Sequence, residues 1–370
     1  MPTSITIHAG RHPRVLCPVE APWPDDDAPD ALQADGRTVP VQRIDGRLAF
    51  VLPELAAGTS LTLRPAPGAG PAERVTLADT GAGIDVRLPD GLLTTYRYAD
   101  NPARPCFYPV LAPGGVPVTR HWPIRTDVPG ETSDHPHQRS MWIAYGDVNG
   151  TDNWSHEENH GYTKHLSIDA LLSGPVFGRF RTSSRWTDAR GAALLDQDLT
   201  ATFWRGDDSK RLIDLDLTLT ACAGPVTLGD TKEGGMISVR VASSMDVDRG
   251  GRIENAYGGI DEAETWGKAA HWCDYAGEVD GKRVGVAIMD HPDSFRYPTY
   301  WHVRNYGLMA ANPFALSEYT GGVKNGTHRI EAGASIRFRY RILLHAGDAQ
   351  QADVRSAYLS FVSPPRVEVN

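Results

Sequence analysis

Two stretches of this 370-residue chain alternate apolar and polar residues with a period of two. They are Arg211-Leu212-Ile213-Asp214-Leu215-Asp216-Leu217-Thr218-Leu219-Thr220 and Ser335-Ile336-Arg337-Phe338-Arg339-Tyr340-Arg341-Ile342-Leu343-Leu344. Side chains on a strand point alternately to its two faces, so each stretch can bury one face and expose the other only as a strand. Shorter runs repeat the signal: Gly178–Trp186, a turn at Asp188–Gly191, then Leu199–Trp204. Asp85–Leu88 and Leu93–Tyr98 flank Pro89-Asp90-Gly91 as a hairpin would. Helical spacing is confined to the tail, about Ala349 to Val362. The pattern predicts an all-β chain whose bulk is a large antiparallel β-sandwich of two sheets.

A small N-terminal β module is expected over residues 1–80, from the short alternating runs Ile5–Ile7, Arg47–Leu52 and Ser60–Leu63. The stretch Pro65–Pro71 holds only Pro, Gly and Ala and suits a linker. The large domain then spans 81–370 and carries the site.

Composition excludes several classes. A formal charge of -9 with no Lys/Arg cluster argues against a nucleic-acid partner. No run of 18 apolar residues occurs, so no membrane partner is expected. Met1–His8 lacks the basic and apolar regions of a signal peptide. Cys17, Cys106, Cys222 and Cys273 form no CxxC pair and read as buried free thiols in a reducing compartment, which places the protein in the cytoplasm. Self-association is left open.

The densest chemistry lies in Ser133-Asp134-His135-Pro136-His137-Gln138-Arg139-Ser140, which runs into the apolar Met141–Gly146. In an extended segment His135 and His137 share one face, and Pro136 stiffens their spacing. They suit an acid and its orienter, or two metal ligands; the plain alternative is a surface loop in which Asp134 pairs with Arg139. Arg139 offers a fork of donors to a polyhydroxyl or anionic group.

Four further loops set acids and amides beside aromatic rings. Gly150–Gly161 holds His156 and His160, read as solvated. Leu228–Gly235 holds Asp230, Lys232 and Glu233, either an acid/base pair or a salt-bridged turn. Trp266–Tyr275 holds Trp272 and Asp274, with the tryptophans leaning to core. The last runs from Asp290-His291-Pro292 through Trp301-His302-Val303-Arg304 to Asn312-Pro313-Phe314. Rings that stack on the C–H face of a pyranose, next to groups that hold its hydroxyls, make a sugar cleft. GxSxG, Walker, dinucleotide and HExxH motifs are absent.

The strings Asp134–Ser140, Gly229–Gly234, Trp266–Lys268 with Trp272–Tyr275, and Asp290–Pro292 with Trp301-His302 resemble the PmoA-like family of bacterial proteins, over roughly residues 90–350. The resemblance implies a supersandwich like that of galactose mutarotase and a carbohydrate setting, beside sugar oxidoreductases. The methane-oxygenase label of that family implies spanning helices, which this chain lacks. Gln138 stands where the resemblance leads one to expect a third histidine, and the N-terminal module is not covered.

The expectation is a carbohydrate-active enzyme, foremost a glycoside hydrolase on oligosaccharides or glycosides. Asp230, Glu233, His135, His137 and His302 would be catalytic; Arg139, Lys232, Trp272, Asp274, His291, Arg304 and Asn312 would bind substrate. No cofactor is expected, and the histidine cluster is where a divalent metal would sit. A sugar mutarotase or epimerase and a non-catalytic sugar- or metal-binding protein are the competing readings. All of them require distant turns to gather these residues around one hollow.

Overall fold

The computed structural model describes residues 3–23, 29–34, 36–66, 74–100 and 103–370; most of the Pro65–Pro71 stretch lies outside the described residues. The protein is an all-β sandwich of large antiparallel sheets. The two alternating stretches become neighbours: Lys210–Ala221 lies between Ala193–Trp204 and Ser335–Ala346 in an eight-stranded sheet, with Leu215 opposite both Ala201 and Tyr340. Their apolar faces enter one core through Leu217, Leu219 and Phe338, each worth about 1.5–3 kcal/mol on burial.

The second large sheet has nine strands. Its order is Trp301–Val303, Leu308–Ala311, Gly234–Arg240, Met141–Tyr145, Cys106–Ala112, Gly91–Arg97, Gly83–Leu88 and Thr76–Asp79, with Val116–Pro117 beside Cys106–Ala112. The hairpin around Pro89–Gly91 forms as expected. Phe107, Met141, Val239, Met309 and Trp301 pack inward against Phe180, Leu199 and Phe203 of the eight-stranded sheet. Gly234–Arg240 and Met141–Tyr145 are buried on both faces, so their sequences show no alternation and escape a period-two reading.

A further layer covers the other face of the eight-stranded sheet. Phe177, Trp204, Leu212, Trp272, Met289 and Leu343 there meet the helix Val354–Val362 and Leu16 and Ala49 of the N-terminal part. The Asp353 carboxylate caps that helix by accepting from the Ser356 amide, so the expected helical tail begins only there.

The N-terminal strands enclose a core of their own around Ile5, Val19, Phe50 and Leu63. Further contacts join them to the rest. The last strand, Arg366–Val369, pairs with Ile5–His8, and Gln42 Oε1 accepts from the Val176 and Phe177 amides at 3.1 and 3.0 Å. The large sheet already begins at Thr76. Three cysteines are buried free thiols, but Cys222 is exposed, because it follows the end of its strand. Among the described residues no helix is long and apolar enough to cross a membrane.

Candidate functional site

Strand register lines up one row across the nine-stranded sheet. His302 lies opposite Ala310, Ala310 opposite Ser238, Ser238 opposite Trp142, Trp142 opposite Cys106, and Cys106 opposite Arg97. Cross-strand partners project from the same face. Their chain neighbours Val303, Met309, Val239 and Met141 enter the main core, so this row faces outward. Cys106, Tyr108, Trp142, Ala144, Leu308 and Ala310 form an apolar floor there, covered by Trp154 from the loop after Met141–Tyr145.

The Ser133–Ser140 segment lies at this face because it leads straight into the Met141–Tyr145 strand. His135 and Ser140 adopt left-handed φ of 43° and 57°, a conformation that costs energy in residues with a Cβ. Asp134 fixes the segment. Its carboxylate accepts from Arg120, from Arg240 at 2.9 Å and from His135 Nδ1 at 2.6 Å. The expected pairing with Arg139 is replaced by these two guanidiniums, both fully buried. Burial pushes the Asp134 carboxyl up, but Arg240, the His135 hydrogen bond and Arg120 together carry it well below the usual range.

The Asp134 contact places the proton on His135 Nδ1 and turns Nε2 away. The His135 ring stacks on Tyr306 at 5.1 Å and 8°. His137 packs against Trp154 and His156, at 5.8 and 6.3 Å between centroids. Burial, then the Arg104 charge, lowers the His137 pKa to about 4.

The 230s turn comes to the same face. Gly146 allows it, since a Cβ there would stand 2.5 Å from the Glu233 carbonyl oxygen. Asn312 Nδ2 donates to the carbonyls of Thr231 and Lys232 at 3.0 and 3.1 Å. Glu233 is about half exposed and pairs with Lys232 at 3.3 Å. Burial chiefly raises the Tyr306 hydroxyl pKa, and the Glu233 charge adds to it, so the carboxylate is within electrostatic reach of the ring on which His135 stacks.

His302 is buried and lowered to about 3, first by burial and then by Arg304, and stays neutral. Its Nδ1 has no hydrogen-bond partner among the described residues, nor have Ser238 Oγ, Trp142 Nε1, Trp154 Nε1 and His137 Nε2. Buried polar atoms are nearly always paired, and these five lie on one face, although unpaired ones also occur elsewhere, at Tyr340, Asp290 and Ser360. Ala310, a small buried residue, lies between His302 and Ser238 in this row.

The structure thus brings together His135, His137, Glu233, Lys232 and His302, with Arg139 nearby: its pKa is lowered by burial, then affected by Cys106 and Arg97. Arg304 reaches the rim, with its guanidinium 5.5 Å from the centre of the Tyr306 ring, but its Nε is engaged with Glu262 at 2.9 Å. Asp230 is a correction. Its carboxylate accepts from the amides of Ser317 at 3.0 Å and Gly326 at 2.5 Å, anchoring the Leu316–Tyr319 helix and the loop beyond it. Asn312 likewise clamps the turn.

Trp272, Asp274 and His291 are not at this site. They belong to the eight-stranded sheet, on the face under the Val354–Val362 helix. There Asp274 is buried against His345 Nε2 at 2.8 Å, and His291 packs on Phe361. Period-two alternation sends Trp272 and Asp274 to the same side, away from the nine-stranded sheet. His156 is half-buried beside Arg104 rather than solvated. Sequence reasoning passed over Tyr306, Trp142, Trp154, Ser238 and Arg240. Tyr306 and Trp154 stood inside the aromatic loops and carried a signal; Ser238 and Arg240, in a strand without alternation, carried none. Among the described residues no three His, Cys, Asp or Glu side chains converge to hold a metal ion.

The profile of a family of unknown function, DUF6807, matches residues 83–359. The chain belongs to that family. The DUF6807 span opens at the Gly83–Leu88 strand and closes inside the last helix, so it takes in the whole outer face and leaves out the small N-terminal sheets. None of the curated proteins matches the chain.

Proposed function

We propose that the outer face of the nine-stranded sheet is the active site of a carbohydrate-active enzyme that moves protons on a sugar ring. The observation that carries this reading is an Asp134–His135 dyad stacked on Tyr306, with Glu233 within electrostatic reach of the same ring, above a layer of buried polar atoms that have no partner among the described residues. Trp142 and Trp154 are buried and Tyr306 stacks on His135 with Arg240 4.7 Å from its centre, so a sugar on this face would meet the partly exposed rim groups Glu233, Lys232 and His135.

The chemistry best supported is mutarotation or epimerisation. For mutarotation Glu233 takes the proton of the anomeric hydroxyl, His135 in its imidazolium form, with Nδ1–H held by Asp134, gives its Nε2 proton to the ring oxygen and becomes the neutral ring, and the C1–O5 bond breaks to the open-chain aldehyde. Closure from the other side of the carbonyl reverses both transfers and restores both groups. Glycoside hydrolysis needs two working carboxyls. Asp230 is committed to backbone amides and Asp134 to guanidiniums, which weighs against it. The resemblance to the PmoA-like family adds a carbohydrate setting, and a cytoplasmic location fits the three buried thiols.

Purified protein mixed with freshly dissolved α-anomers and with aryl glycosides tests this. Faster equilibration of anomers without glycoside cleavage is expected, lost in Glu233→Gln and His135→Gln. Cleavage of the glycosides would instead restore the hydrolase reading. Inertness toward both would sink the enzymatic proposal.

A further inference from the structure

Arg104 is 2% exposed, yet among the described residues no carboxylate lies within ion-pair distance of it. Its Nη2 donates to the Ser155 carbonyl at 3.2 Å, its Nη1 lies 3.4 Å from His156 Nε2, and its Nε has no partner among the described residues. Asp152, whose charge partly offsets that of Arg104, lies beyond ion-pair distance and turns its oxygens to the amides of Trp154 and Ser155, at 2.7 and 2.9 Å, and to the Ser155 hydroxyl. A buried guanidinium without an ion-paired carboxylate is expensive to keep, and a bound anion would lower that cost.

The surroundings add positive charge. Burial is the largest cause lowering the pKa values of His137 and His156, and Arg104 the next, with Arg139 also acting on His156. Arg139 lies near Cys106 and Arg97, at the end of the row opposite His302. That row runs through four strand spacings from His302 to Cys106, about 19 Å in all. The cationic flank therefore sits beside the sugar face, with Trp142 and Trp154 between it and His302.

We infer that Arg104, Arg139 and His156 form an anion subsite, and that the substrate is an acidic sugar whose carboxylate or phosphate seats there while its ring lies over the rim of the outer face. This deepens the sugar reading above and rests on it for the ring, not for the anion. Guanidinium forks match both carboxylate and phosphate oxygens.

Titration calorimetry on the full-length protein with glucose, glucuronate, glucose 6-phosphate and inorganic phosphate tests it, alongside thermal denaturation. At least tenfold tighter binding of an acidic sugar than of glucose is expected, and the tighter of the two acids identifies the anion. Arg104→Met should erase that preference and, with no ligand, unfold no earlier than the parent, because it removes a buried charge that has no ion pair among the described residues. Arg139→Met should weaken the preference in a fold left intact. Equal affinity for glucose and both acids overturns the inference, as does an Arg104→Met protein that unfolds earlier yet keeps the preference. Inorganic phosphate binding that Arg104→Met abolishes, with no sugar bound, upholds the anion subsite and discards the sugar reading beneath it.

Discussion

The two outer faces of the sandwich are built from the same kinds of residue and treat them in opposite ways. On the eight-stranded sheet, under the Val354–Val362 helix, polar groups come paired: Asp274 with His345, and Asp214 with both Arg341 and Trp204 Nε1. On the nine-stranded sheet His302 Nδ1, Ser238 Oγ, His137 Nε2 and two indole N–H groups are buried and open. The first face is partly closed by that helix, and most polar groups beneath it find partners within the protein, although Ser360 Oγ does not and a cavity of about 720 Å³ opens beside it between Arg179, Trp204, Asp216, Arg339 and Phe361. The second is roofed by loops, Trp154 among them, and on the reading proposed above its unpaired atoms serve a molecule from outside. A histidine beside an acid is thus a buried structural tie at His345, whereas at His135 the pair is partly exposed and on the proposed reading orients a working ring nitrogen.

The comparison breaks most readily at Glu233. Glu233→Gln should cut turnover of the sugar substrate at least about a hundredfold, the usual scale of a general acid or base, with the melting temperature held. Unaltered turnover takes Glu233 out of the chemistry and leaves the open face a binding surface. The converse change, Asp274→Ala, strands a buried His345 and should cost about 3 kcal/mol in urea unfolding while sugar affinity stays the same. A drop in affinity instead would mean that the closed face communicates with the open one.

His302 offers a finer test through pH. Its folded-state pKa of about 3 lies below the ordinary value near 6.5, so on acidification the unfolded chain takes the proton first. The stability that goes with keeping the ring neutral is whole above about pH 6.5 and drains away between there and pH 3. His302→Gln should therefore lose stability less steeply over that window, by up to about 1.4 kcal/mol per pH unit; identical slopes would mean that His302 is protonated in the fold. The smallest effect belongs to Lys232→Ala. Its pair with Glu233 is partly exposed, and unfolding measurements should register no more than about 0.5 kcal/mol.

Legibility in the sequence followed alternation. Lys210–Ala221 and Ser335–Ala346 each have one buried and one freer face over much of their length, and their period-two pattern gave the strands and the fold class at once. Gly234–Arg240 is buried throughout, so it had no pattern to read, and Ser238 and Arg240 went unnoticed with it. Within the site, clustered chemistry was the useful signal: the Asp134–Arg139 string and the 230s turn do reach one face. Clustering misled at Trp272 and Asp274, where acids beside aromatics serve packing and pairing inside the protein. Asp230 looked like Glu233's partner because they lie three residues apart, but it turns to hold the amides of Ser317 and Gly326.

Local order along the chain therefore decided the all-β class, the hairpin at Pro89–Gly91 and which segments bear chemistry, since period and turn residues act over a few neighbours. The tertiary structure decided which face each segment joins, that Asp134 answers to Arg120 and Arg240 rather than to Arg139, and that Arg104 is buried with no ion-paired carboxylate among the described residues. Those outcomes depend on strand register between residues a hundred positions apart, a long-range pairing that no short window of sequence contains.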